Sequence, residues 1–138
     1  LKDNGIILGV AINYSATVLV GLLNGLIHQE PFFQICKQQL KIGMHESRED
    51  LPWLLAHAFY HRPEQLKEEF SKRDLKFLNI HAVEGMAWLD QDFFSNMRDG
   101  KSRETLLELT QIIESDSNLL CFSPHMMIAV QKKLNHGK

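Results

Sequence analysis

Tyr60 and His61 stand side by side just before Pro63, and they are the residues best suited to proton transfer. A phenol can hold an acceptor by a hydrogen bond, and an imidazole can take up its proton near neutral pH. The same pair has a plainer reading, in which His61 caps the helix that Pro63 opens and Tyr60 packs. Asn13 and Tyr14 close an apolar run, the place where open α/β sheets put their ligands, or they are a simple strand-to-helix cap. Glu84 and Trp88 flank a loop further on. There the carboxylate either binds a substrate cation or accepts backbone hydrogen bonds, and the indole either walls a pocket or anchors the core. These six are the candidate site residues: His61 and Tyr60 for catalysis, with Asn13, Tyr14, Glu84 and Trp88 for substrate.

Other constellations carry less. His57 and His61 are four apart, which on a helix sets two imidazoles on one face. The intervening Ala58, Phe59 and Tyr60 supply no acid, and no Cys-x-x-Cys supports zinc, so the spacing reads as coincidence. His45, His81 and His125 are scattered, and no Ser-His-Asp or Cys-His arrangement has a defensible spacing. Cys36 and Cys121 sit in apolar settings and read as buried free thiols rather than a disulfide.

The elements that must position these residues follow from patterning. Lys2-Asp3-Asn4-Gly5 is a turn, since Asn-Gly supplies positive φ readily. Ile6–Ile12 is an unbroken apolar run of strand length, which predicts a strand covered on both faces. Ser15 offers an N-cap for a helix to about His28, and Pro31 starts another that carries Phe32, Ile35 and Cys36 on one stripe and ends at Gly43. Residues His45 to His57 read as an irregular excursion anchored by Leu51, Trp53, Leu54 and Leu55. Pro63 opens a clear helix with Leu66 and Phe70 four apart. Phe77–Val83 is a second strand, closed by Gly85. Ser102 caps a long helix to about Ser115 with Leu106, Leu109, Ile112 and Ile113 as its apolar face, and Met126–Val130 is a third strand before a basic tail.

The 138 residues suffice for one domain with a real core, without repeats or linkers. A net charge of −2 gives no sign of the basic face a nucleic acid demands, and the local basic stretches read as solvated. Ile6–Ile27 is apolar enough to resemble a membrane span, with Gly21 and Gly25 as a small-residue face. Asn13-Tyr14-Ser15 near its middle argues instead for strand, turn and helix. No charged leader with a cleavable apolar stretch is recognised, and a cytoplasmic protein is the expectation.

The opening Leu1-Lys2-Asp3-Asn4-Gly5-Ile6-Ile7-Leu8 resembles the turn into the fifth strand of class I S-adenosylmethionine-dependent methyltransferases. Phe59-Tyr60-His61-Arg62-Pro63-Glu64-Gln65-Leu66, Ala82-Val83-Glu84-Gly85-Met86-Ala87-Trp88-Leu89 and the closing Ser123–Val130 are similar to segments of one branch of that superfamily, in its order and spacing. The resemblance departs at Asp74, where the family carries a glycine, at Met86 in place of a proline, and at Asn13-Tyr14. An L-residue at position 74 must bear left-handed strain or end the preceding helix differently.

The resemblance implies an α/β fold: residues 1–138 as the C-terminal part of a seven-stranded Rossmann-like sheet, about three strands with helices. Its last strand would be antiparallel and inserted beside the first of the three. It implies a methyltransferase acting on a small molecule, with S-adenosylmethionine as cofactor and the glycine-rich cofactor loop in an upstream half. The rival expectation is a non-catalytic fragment or degenerate paralogue, a dimerising or binding module. Without neighbouring strands, Ile6–Ile12 would expose an unpaired edge suited to a homodimer.

Overall fold

Asn4 turns the chain with φ +59°, and the Gly5 amide donates to the Lys2 carbonyl at 2.9 Å, which delivers Ile6 straight into the first strand. In the computed structural model the described residues are 2, 4–47, 49, 57–72 and 74–133. They form, in order, β1 (Ile6–Asn13), α1 (Ala16–Leu23), α2 (Glu30–Ile42), β2 (Met44–Glu46), β3 (His57–His61), α3 (Pro63–Ser71), β4 (Leu75–Ala82), α4 (Phe93–Asn96), α5 (Gly100–Ile113) and β5 (His125–Lys132), with short 3-10 turns at Leu26–His28, Ala87–Leu89 and Leu120–Phe122. The protein is α/β, with one mixed sheet in the order β2-β3-β1-β5-β4.

The last strand in the chain lies inside the sheet. β5 runs antiparallel to β1 on one side and to β4 on the other, with Leu8 opposite Ala129 and Ile80 opposite Ile128. β1 and β4 therefore point the same way, and β3 joins them, pairing parallel to β1 through Ile12–Tyr60 and Asn13–His61. The core follows from this burial. Met126, Ile128 and Val130 of β5 are closed off from solvent, packed with Leu66 of α3, Ile80 and Ala82 of β4, and Leu120. Gly9 is the close-approach point: a Cβ there would sit 2.9 Å from the Phe70 ring that α3 lays on β1. A second buried group, Phe32, Ile35 and Cys36, belongs to α2. Phe32 packs so closely against Gly21 of α1 that a Cβ there would lie 2.6 Å from its ring.

Several expectations change. The sheet has five strands, not about three, because the supposed excursion holds β2 at its start and β3 at its end. Both are too short to show a period, and they form by pairing with each other, Met44 opposite Phe59. The anchors Leu51, Trp53, Leu54 and Leu55 lie outside the described residues. His57 and His61 sit at opposite ends of a strand, about 13 Å apart at the ordinary rise per residue, and so share no helix face. The helix after Ser15 stops at Leu23, since Asn24 leaves helical geometry and Gly25 takes φ +68°. Asp99, not Ser102, caps α5, accepting from the Ser102 amide. Hydrogen bonds from the Ser102 side chain and backbone hold the Asp99 carboxyl below its ordinary range, so this cap persists until well into acid. α5 buries none of its residues fully: Leu106, Thr110 and Ile113 are half-buried while Leu107, Leu109 and Ile112 face out.

Two further outcomes bear on the sequence reading. α3 ends in right-handed geometry at Lys72, and Asn4 is the one non-glycine residue with positive φ among those described, so Asp74 escapes left-handed strain. The apolar run Ile6–Ile27 divides into strand, turn and helix, and among the described residues no helix is long and apolar enough to cross a membrane. Cys36 and Cys121 are free; Cys36 is buried, and this burial pushes its thiol up. β1 is not covered on both faces: Ile6, Leu8 and Val10 are 55%, 61% and 63% exposed.

Core placement sets a clear contrast. Ile128→Ala should cost about 2–5 kcal/mol, because Ile128 is fully enclosed at the centre of the sheet. Ile112→Ala, at a position 71% exposed, should stay within about 0.5 kcal/mol. Urea unfolding followed by circular dichroism compares them.

Candidate functional site

The strand directions gather every candidate residue at one end of the sheet. β1, β3 and β4 all finish there and β5 begins there, so Asn13, Tyr60, His61, Glu84 and His125 converge from four segments. Three backbone bonds tie the segments together: Asn13 N–H to Pro124 O at 2.8 Å, Tyr14 N–H to His61 O at 3.0 Å, and Val83 N–H to His125 O at 3.0 Å. This is the end at which open α/β sheets present ligand sites.

A buried turn before β5 organises that end. Residues Leu120–Pro124 lie against the core and their carbonyls need donors. Asn13 Nδ2 supplies Leu120 O at 2.7 Å, Ser15 Oγ supplies Cys121 O, and Trp88 Nε1 supplies Phe122 O at 2.5 Å. Asn13 is wholly enclosed, so its role is to hold this turn and it lines no open surface. Trp88 spends its only donor on the turn, which leaves its ring as an apolar wall.

The Glu84 carboxylate finds its partners in the segment that opens β5 rather than in its own loop. Its Oε1 lies 2.5 Å from His125 Nδ1, while Oε2 accepts from the His125 amide at 3.0 Å and from Ser123 Oγ at 2.8 Å. Ser123 is fully buried, and its oxygen in turn accepts from the Glu84 and Gly85 amides at 3.1 and 3.2 Å. A hydroxyl has one proton, so Ser123 shares it between Glu84 and the His125 carbonyl at 2.8 Å. An ionised carboxylate accepts only, so it places the imidazole proton on Nδ1 and leaves a lone pair on Nε2. That nitrogen has no protein partner among the described residues, and the His125 side chain is 42% exposed. The arrangement is an oriented imidazole with its accepting nitrogen free, the geometry of a general base. Glu84 also lines an apolar cavity of about 170 Å³ with Phe93, Met97 and Leu106.

The sequence pair Tyr60–His61 divides between the two faces. Neighbours on a strand point opposite ways, while residues paired across strands share a face. Ile12 pairs with both Tyr60 and His125, so these two lie on one side, about 10 Å apart at the ordinary strand spacing. His61 and Asn13 lie on the other. There His61 Nε2 approaches Glu69 of α3 at 3.4 Å, and its ring meets Phe59 edge-on. The N-cap of α3 is Arg62, whose amide donates to Gln65 Oε1 at 3.0 Å, so His61 does not cap the helix. Tyr60 is buried. Tyr14 carries the Arg62 guanidinium 4.4 Å from its ring centroid and accepts from Gln39 at its carbonyl. Tyr14, Tyr60, Gln39 and Arg62 surround a cavity of about 60 Å³, too small for more than a water or two.

Sequence reasoning singled out Glu84 and passed over its two partners. Ser123 and His125 lie 39 and 41 positions away, and only the register of β4 on β5 brings them to it. Ser123-Pro124-His125 opening a strand was the available signal, and it has no meaning without that register. No protein-family model and no curated protein sequence matches the chain.

Ser123 is the test of this assembly. Ser123→Ala leaves two buried amides and one carboxylate oxygen short of a partner and should cost about 1–3 kcal/mol in unfolding experiments. NMR of the His125 ring nitrogens should show loss of the Nδ1-protonated preference in Glu84→Gln and its retention in His61→Ala.

Proposed function

We propose that the chain is the acceptor-side part of a class I S-adenosylmethionine-dependent methyltransferase acting on a small molecule. The observation that carries this reading is the antiparallel β5 inserted between β1 and β4, with the resembling segments meeting at one sheet end. An acceptor site for methyl transfer should be apolar with few polar points, because the protein's main task is to hold the acceptor and exclude water. The Glu84–His125 pair beside the apolar cavity has that character.

In this reading His125 Nε2 receives the proton of the acceptor, and Glu84 steadies the imidazolium through Nδ1–H. S-adenosylmethionine would supply an activated methyl group. The described residues do not fit the cofactor itself: the strand-to-helix connections are Tyr14-Ser15, Arg62 and the loop from Val83 to Asp92, whose one glycine, Gly85, makes no glycine-rich turn to cradle a nucleotide.

The natural full-length polypeptide, incubated with radiolabelled S-adenosylmethionine and a pool of small metabolites, should transfer label. His125→Ala should reduce that transfer by at least about tenfold while cofactor binding is unchanged. The 138-residue chain by itself should show no calorimetric binding of S-adenosylmethionine. A full-length polypeptide that binds no S-adenosylmethionine sinks the reading.

A second reading is favoured by β1. From Ile6 to Ala11 its outer edge pairs with no described strand, since β3 joins only at Ile12, and the same segment exposes Ile6, Leu8 and Val10. Unpaired backbone groups beside exposed apolar residues invite a second copy of the strand. A dimerising module would sediment as a dimer, with Leu8→Lys reverting to monomer; a monomeric parent chain at micromolar concentration removes this reading.

A further inference from the structure

A groove of about 400 Å³ separates the end of α1 from the loop after β4, and it has a composition distinct from the cavity beside Glu84. Its apolar walls include Leu23, Trp88, Phe93 and Phe94, with Asn24, Asp90 and Gln91 as polar points. Its volume falls within the range of pockets that take small organic ligands. Phe94 is 80% exposed, an arrangement that costs hydration unless something covers the ring, and it meets Phe93 edge-on at 5.4 Å between centroids.

The charge of the lining is one-sided. Among the described residues Asp90 is its only charged one, and no lysine, arginine or histidine contributes to the walls. The carboxylate is fixed by the Asn96 side chain at 2.8 Å and the Asp92 amide at 2.9 Å. Those bonds, the Asn96 one foremost, hold the Asp90 carboxyl below its ordinary range, so it is ionised at neutral pH. Two acceptor bonds leave further lone pairs for a ligand. The Trp88 N–H is already given to Phe122 O, which leaves the indole only carbon edge and π face to offer. Aromatic faces together with one fixed negative charge attract an organic cation, and the lining offers an anion no positive charge.

We propose that this groove binds an organic ammonium ion of small size, its charge set between Asp90 and the rings of Trp88 and Phe94. Phe93 is common to the groove and to the cavity that Glu84 lines. The inference rests on the groove alone and stands whether or not the polypeptide transfers methyl groups.

The probe is choline, titrated into the 138-residue chain with NMR detection of the Trp88 indole N–H and compared with its uncharged carbon isostere, dimethylbutanol. Choline should saturate the Trp88 signal and bind about tenfold tighter than the isostere, the charge difference being the only one between them. Asp90→Asn should remove most of that preference. Phe94→Ala, at an exposed position where the fold is indifferent, should weaken choline several-fold with an unchanged melting curve. Equal affinity for the two probes, an unaltered preference in Asp90→Asn, or no saturable shift at Trp88 overturns the proposal. None of these outcomes depends on S-adenosylmethionine, so they leave the methyltransferase reading to its own experiment.

Discussion

The site end of this protein depends on satisfying the carbonyls of one buried turn. Leu120 is buried in the core and Cys121 and Phe122 are half-buried just before β5 begins, and a carbonyl that loses water there must find a protein donor. Asn13 at the end of β1, Ser15 at the start of α1 and Trp88 after β4 each provide one. Two segments far apart in the chain, the β1–α1 junction and the loop after β4, are thereby locked to one turn. The same turn carries Ser123, whose hydroxyl bonds the Glu84 loop and so fixes where the carboxylate stands. Chemistry at His125 is a consequence of that arrangement, since Glu84 can orient the ring only from a fixed position.

Insertion of β5 between β1 and β4 has a second effect. It makes the centre of the sheet from the last strand in the sequence, so Met126, Ile128 and Val130 are enclosed while the earlier β1 remains at the boundary of good pairing. Among the described residues β1 has a full partner on one side and two residues of pairing on the other. Independently of that pairing, the face carrying Ile6, Leu8 and Val10 is exposed. The strand is as apolar as a central strand, yet the described residues cover only one of its sides.

Legibility varied with how local each signal was. β1, β4, β5 and the helices α2, α3 and α5 were readable, because apolar runs, Pro at helix starts and Gly43 at a helix end act within a few residues. β2 and β3 were not, being three and five residues long and stabilised by pairing rather than by pattern. Among candidate site residues, all six fall at the same end of the sheet or in the loop beyond it, a placement the strand-end rule suggested for Asn13 and Tyr14 alone. Their individual roles were not readable. Asn13 became a turn-holding residue, Tyr60 and His61 parted to opposite faces, and Glu84 acquired His125 as its partner.

Residue types and spacing by themselves determined that this chain is α/β, where most elements begin and stop, and which segments surround a strand end. Those are local matters of propensity, capping and apolar period, and no contact at long range is needed to express them. Only the tertiary structure decided the strand order, the face each side chain takes, and the pairing of Glu84 with His125. Those depend on register between strands dozens of residues apart, where a slip of one position would reverse every face.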